Sequence, residues 1–251
     1  MLANYYNSQV IDLFLRSSRD CFFGRAPMFY DELEPSDLLF IGVNPSFSDL
    51  KKSYSFVLAN CLNDKETTYL SKMTLNQFED LYSNTNNLVA NCKYLGDIHR
   101  VHKLNYAYFN KFKQISAILK VKIEHIDLFP MRETSQVKVA KCLNQNMKFR
   151  EECCLLLVRV IAKIRPKVII VENSYARDAL INSEIAEVND FFPPFHFDTF
   201  KSNNAGTPVN KEGMAVYYTS MLTGQRAMDL GSFHRLIWSI NSFLKLANGK
   251  V

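Results

Sequence analysis

The chain has 251 residues, 47% apolar and 22% charged, enough to bury a core without disulfides or metals and too apolar for a disordered class. Thirty Lys plus Arg against 25 Asp plus Glu leave a net charge of +5, which permits an anionic partner without demanding one. No run of about 18 apolar residues occurs, and Met1-Leu2-Ala3-Asn4-Tyr5-Tyr6 is not a basic segment followed by an apolar one, so membrane insertion and export are not expected and a cytoplasmic protein is.

In chain order, residues 7–20 place Val10, Leu13 and Phe14 at helical spacing and predict a first helix ending before Gly24 and Pro27. Asp37 to Val43 reads as a strand buried on both faces, stopped by Gly42 and Pro45. Residues 47–105 are polar and Asn-rich, and read as short helices or loops inserted into a single domain spanning 1–251. Tyr106 to Leu119 returns to helical spacing, residues 121–130 form the second strand, and residues 144–164 form the clearest helix, closed by Pro166. Residues 168–171 are a third strand followed by a helix from Tyr175 with Ser174 as its N-cap. Residues 214–220 make the fourth strand and 232–247 the last helix. Strands alternating with helices predict an α/β fold, a three-layer α/β/α sandwich around a mainly parallel four-stranded sheet.

The six cysteines include no C-x-x-C pair and no finger-like spacing with histidine, so neither a metal site nor an iron–sulfur cluster is expected, and reduced buried thiols are. No cofactor is implied. His99 and His102 are spaced for two ligands on a helix, with Asp97 nearby as the only third, a poor metal set. His234 falls on the polar side of the last helix, and Lys111, Lys113, Lys120 and Lys122, interleaved with Tyr106, Tyr108 and Phe112, form a basic face that suits a solvated surface or a nucleic-acid backbone.

If the strands are parallel, their exits share one rim: Asn44-Pro45-Ser46; Asp127 with Pro130-Met131-Arg132; Glu172-Asn173-Ser174; and Ser220 through Arg226. Ligands bind at that rim in open α/β sheets. Asn173 and Ser174 are explained by helix capping, whereas Asn44 is not needed for the turn that Gly42 and Pro45 already make.

Gly42-Val43-Asn44-Pro45-Ser46 resembles the Gly-x-Asn-Pro first motif of the mismatch-specific and single-strand-selective branches of the uracil-DNA glycosylase superfamily. The resemblance implies a four-stranded parallel sheet between helices and action on a base flipped out of DNA. It puts Asn44 in the place of the water-positioning residue and Phe56, twelve residues on, at the spacing of the ring that stacks on the base. Asp127 and Arg132 fall in the segment that reads the base edge, and Val168 to Leu180 is similar to the third strand and its helix. The chain departs from the family at its last motif. Where His-Pro-Ser or Asn-Pro-Ser is common, it carries Thr219-Ser220-Met221-Leu222-Thr223-Gly224-Gln225-Arg226. Asp127 also stands where several branches have Asn, and a carboxylate accepts from a base N–H but donates to a carbonyl only when protonated.

Breaking an N-glycosidic bond builds positive charge on the sugar and negative charge on the base, so the site needs a held water and donors for the base. Asn44 would hold water by its carbonyl oxygen; Gly42, Pro45, Phe56 and Asp127 would bind the base; Ser46, Arg132, Ser220, Thr223, Gln225 and Arg226 would contact DNA or base. For several of these a plainer role competes: Phe56 as a core ring, Arg226 paired with Asp229, and Met221 with Leu222 packed under the last helix rather than wedged into DNA. The expectation is a DNA glycosylase-like hydrolase acting on a deaminated or damaged base, with DNA as partner. The alternatives are a non-catalytic nucleic-acid or nucleotide-binding module of the same fold, and a hydrolase of free nucleosides or nucleotides.

Overall fold

The computed structural model describes residues 2–25, 27–45, 92, 96, 99–100, 103–104, 107–133, 135–193, 209–222 and 227–247. The chain groups into two compact units, one made of Met1–Leu33, Asn44–Tyr106 and Phe129–Leu156, the other of Glu34–Val43, Ala107–Leu128 and Leu157–Val251. The expected insertion at 47–105 lies largely outside the described residues.

The second unit holds the sheet. Its strands are β1 (Leu38–Gly42), β2 (Ile123–Asp127), β3 (Val168–Val171) and β4 (Ala215–Tyr218). All pair in parallel in the order β2-β1-β3-β4. Every residue of β1 and β3 is buried, the pattern of central strands with both faces covered. Alternation sends Leu38, Phe40, Val168, Ile170 and Ala215 to one face, where they form a core with Phe112 and Ile115 of the helix Asn110–Leu119 and Phe233, Leu236, Ile237, Ile240 and Leu244 of the helix Leu230–Ala247. Phe40 and Phe112 meet edge to face with centroids 4.6 Å apart. Leu39, Ile41, Ile169, Val171 and Val216 face the other way and are equally buried. The architecture is the expected three-layer α/β type.

Chain order gives seven α-helices among the described residues: α1 Leu2–Arg16, α2 Asn110–Leu119, α3 Gln136–Gln145, α4 Met147–Ile164, α5 Ser174–Ile181, α6 Ala186–Phe191 and α7 Leu230–Ala247. Several boundaries differ from the sequence expectation. The first helix begins at Leu2 and stops at Arg16, and the described part of the helix expected over 106–119 is a 3-10 turn, Ala107–Phe109, followed by α2. The 144–164 helix begins only at Met147, because Asn146 leaves helical backbone and its Nδ2 donates to the Cys142 carbonyl at 2.9 Å. The residues before it form α3, which was not expected: its exposed face is polar enough to mask the buried Val139, Cys142 and Leu143. The helix α6 was also unforeseen, being only six residues long. Arg165 at φ 55° ends α4 ahead of Pro166, which disfavours helical backbone in the residue before it.

Asn173, not Ser174, caps α5: its Oδ1 accepts from Tyr175 N at 2.8 Å, and Ser174 is the first helical residue. Asp229 caps α7, accepting from Ser232 N at 2.9 Å and Ser232 Oγ at 2.6 Å, and these bonds hold its carboxyl below the usual range. In the first unit, Phe22 packs edge to face between Phe14 and Phe149, and Asn7 exchanges two hydrogen bonds with the Tyr30 backbone at 2.7 and 3.0 Å.

Candidate functional site

In the second unit the carboxyl ends of all four parallel strands lie along one edge of the sheet. The last register pairs are Gly42 with Asp127, Ile41 with Val171, and Val171 with Tyr218. The ladder runs one residue further, since Glu172 N donates to Ile41 O at 3.2 Å and Thr219 N to Val171 O at 2.9 Å. Asp127, Gly42, Glu172 and Thr219 therefore form the final row of the sheet. Alternation puts that row on the same face as Phe40 and Ile170, where it closes off the apolar core with polar atoms.

Glycine at the centre of this row is a matter of space. A Cβ on Gly42 would sit 2.5 Å from Asp127 Oδ1 and 3.1 Å from His125 Nε2. The bare backbone of β1 lets both β2 side chains lean over it towards β3. His125 thereby reaches Glu172, with Nε2 3.6 Å from Oε1, a close approach but longer than a hydrogen bond. Phe109 and Phe112 stand edge-on to the imidazole at 5.2 and 5.5 Å between centroids.

Glu172 is 1% exposed. Burial pushes its carboxyl up to about 7, opposed by the hydrogen bond that Tyr108 Oη donates to Oε1 at 2.7 Å. Its other oxygen, Oε2, and the neighbouring Thr219 Oγ1 are both enclosed and meet no hydrogen-bond partner. Each unsatisfied buried group costs on the order of 1–3 kcal/mol, and groups left in that state cluster where a protein binds or reacts.

In the first unit, Asn44 is half-buried beside the buried Pro45. Its Nδ2 donates to the carbonyl oxygens of Glu133 at 2.6 Å, Met131 at 3.4 Å and Pro45 at 3.4 Å. Three acceptors around one amide end fix its orientation without ambiguity. Oδ1 accepts from none of the described residues and is left as a fixed acceptor. Arg132, between two of these carbonyls, is 5% exposed, and the Glu133 carboxylate turns back to accept from Ser135 N at 2.9 Å.

Of the residues expected at the site, Gly42 and Asp127 are thus brought together in one unit, and Asn44, Pro45 and Arg132 in the other. Ser220 is exposed, one residue past the polar row. Ser46, Phe56, Thr223, Gln225 and Arg226 lie outside the described residues. Leu222 is fully buried in the core with α7, the packing role rather than a wedge. His99 is buried edge-on to Tyr30 at 5.2 Å, and among the described residues no group of three or more His, Cys, Asp or Glu could hold a metal. No helix among them is long and apolar enough to cross a membrane. The five described cysteines, Cys21, Cys92, Cys142, Cys153 and Cys154, are buried. A groove of about 680 Å³ lined by Lys167, Asp190, Lys211 and Met214 lies at the amino ends of β3 and β4, the edge opposite the polar row.

Sequence reasoning missed Tyr108, His125 and Thr219 as site residues and passed over Glu172 as one polar residue among several at a strand exit. One signal was present: Glu172 continues the inward alternation of Val168 and Ile170, so a carboxylate was due to be buried. No protein-family model matches the chain, and no curated protein is significantly similar to it.

Proposed function

We propose that the chain is a DNA glycosylase-like hydrolase, which releases a deaminated or damaged base flipped out of DNA. The observation that carries this reading is the posture of Asn44, whose amide nitrogen is tied to backbone carbonyls so that Oδ1 is presented as a fixed acceptor. A neutral amide of that kind is too weak to deprotonate water, but it can orient one, which suffices when the glycosidic bond breaks largely before water attacks. The Gly-x-Asn-Pro sequence directly after a parallel strand agrees with it.

Incubation of purified protein with single- and double-stranded oligonucleotides bearing uracil, hypoxanthine or xanthine tests the proposal. Base release is expected from at least one, lowered by about 10²-fold or more in Asn44→Ala. No abasic product from any of them, or release untouched by the substitution, refutes it. A binding-only module is the second reading, favoured by Thr219-Ser220-Met221 at the β4 exit, which has no histidine to assist the leaving base. It predicts steeply salt-dependent DNA binding with no base release.

A further inference from the structure

The helices α2 and α7 cover the same face of the second unit's sheet, and neither contains an aspartate or a glutamate. Their cationic or basic side chains are Lys111, Lys113, His234, Arg235 and Lys245. Lys111 Nζ lies 5.1 Å from the centroid of the Phe233 ring, which joins the first turn of α2 to the first turn of α7. Asp229, just ahead of α7, is taken up by capping it, and Arg235 turns back to Ser232 Oγ at 2.8 Å. The outward charge of this layer therefore rests on its lysines, and a face of one sign draws anionic partners to it.

Trp238, the chain's one tryptophan, stands on the same layer and is 72% exposed. The apolar side of α7, formed by Phe233, Leu236, Ile237, Ile240 and Leu244, is buried without it. At 3.6 residues per turn, His234, Trp238, Asn241 and Lys245 fall along one stripe of the helix. Along the axis the tryptophan is about 6 Å from the histidine and about 10 Å from the lysine. An aromatic face in solvent with a donor on one side and a cation on the other is an arrangement that stacks a base and holds the flanking phosphates. A lipid surface fits less well. A helix lying in a membrane interface needs a broad apolar face of its own, and the one on α7 is covered by the sheet. Ser239, Asn241 and Ser242 are the neighbours of Trp238, and the other exposed apolar residues of α7, Leu230 and Leu246, lie more than two turns away.

We infer that the outer side of α7, together with Lys111 of α2, is a docking surface for single-stranded nucleic acid, with a base stacked on Trp238 and phosphates met by Lys111, His234 and Lys245. A duplex has no free base face to offer, because its bases are stacked on one another. The surface belongs wholly to the second unit and needs no residue of the first. It goes beyond the glycosylase reading, since it applies whether the chain cleaves a base or only binds.

As the sole tryptophan, Trp238 reports on this surface by its own fluorescence. The full chain, excited beyond the tyrosine band, is titrated with oligothymidylate, oligouridylate, a mixed-sequence DNA duplex and vesicles containing phosphatidylserine. At least one of the two single strands should quench the emission, with an affinity that falls steeply as salt rises. The duplex and the vesicles should leave the emission nearly unchanged. By anisotropy of a labelled strand, Trp238→Ala should weaken binding about tenfold or more, and Trp238→Phe less. Lys111→Gln and Lys245→Gln should each lower the slope of log affinity against log salt by about one. Thermal melts identify any variant that does not fold; Trp238 and Lys245 are exposed, so their substitution leaves the core intact. No quench by either single strand, a duplex that quenches as strongly, vesicles that shift the emission where strands do not, or binding undiminished in Trp238→Ala overturns this inference. Base release is scored separately. Release without a quench refutes the surface and leaves the glycosylase reading standing, and a quench without release does the reverse.

Discussion

Gly42 and Asp127 are register partners on adjacent parallel strands, and the carboxylate of the second lies where the Cβ of any other residue at the first would stand, 2.5 Å from Oδ1. The glycine therefore serves the side chains of its neighbours. Gly42→Ala should destabilise the fold by about 1–3 kcal/mol through overpacking. Asp127→Ala vacates the nearer obstruction, so in a denaturant-melt cycle the double variant should lose less than the sum of the singles. Simple additivity would mean that the two residues do not compete for that space.

Asn44→Asp should harm stability more than Asn44→Ala. The aspartate puts an acceptor where Nδ2 now meets three carbonyl oxygens, whereas alanine only removes the donor. A loss of about 1–3 kcal/mol for aspartate is expected in chemical denaturation at neutral pH, partly restored at low pH, where the acid can donate again.

Glu172 should make the fold less stable as pH rises. Its folded value, about 7, lies above the ordinary 4.5, so between these pH values the folded chain holds a proton that the unfolded chain has released. The stabilisation is full below about 4.5, declines through that window and is gone above about 7. Its size is on the order of 3 kcal/mol. Denaturant melts across the window should give this slope for wild type and a flatter one for Glu172→Gln. Equal slopes would show that the buried carboxyl is not its source.

Asn173→Ala removes the cap from α5, an eight-residue helix with little else at its first turn. The expected loss is about 1 kcal/mol in thermal or denaturant unfolding. Ser174→Ala should change little, since Ser174 lies inside the helix and is exposed. The reverse ranking would move the cap back to the serine.

Local patterns carried much of the fold. The apolar runs Leu38-Leu39-Phe40-Ile41 and Val168-Ile169-Ile170-Val171 leave no polar face for solvent and so demand a covered central sheet, and Pro166 had to end the helix before it. The Gly-x-Asn-Pro turn marked Asn44 for the same reason, since its meaning lies within five consecutive residues. Local patterning failed at α3, whose three buried residues sit among charged and amide side chains, and at the caps, where the choice between Asn173 and Ser174 turns on backbone angles. What only tertiary structure decided is which polar atoms are satisfied. The strand order β2-β1-β3-β4 sets Glu172 within reach of His125 across a glycine, although 47 positions separate them in sequence. The orientation of Asn44 is likewise set by carbonyls of residues 131 and 133. Burial and hydrogen bonding depend on which distant segments become neighbours, and a linear pattern holds no record of that pairing.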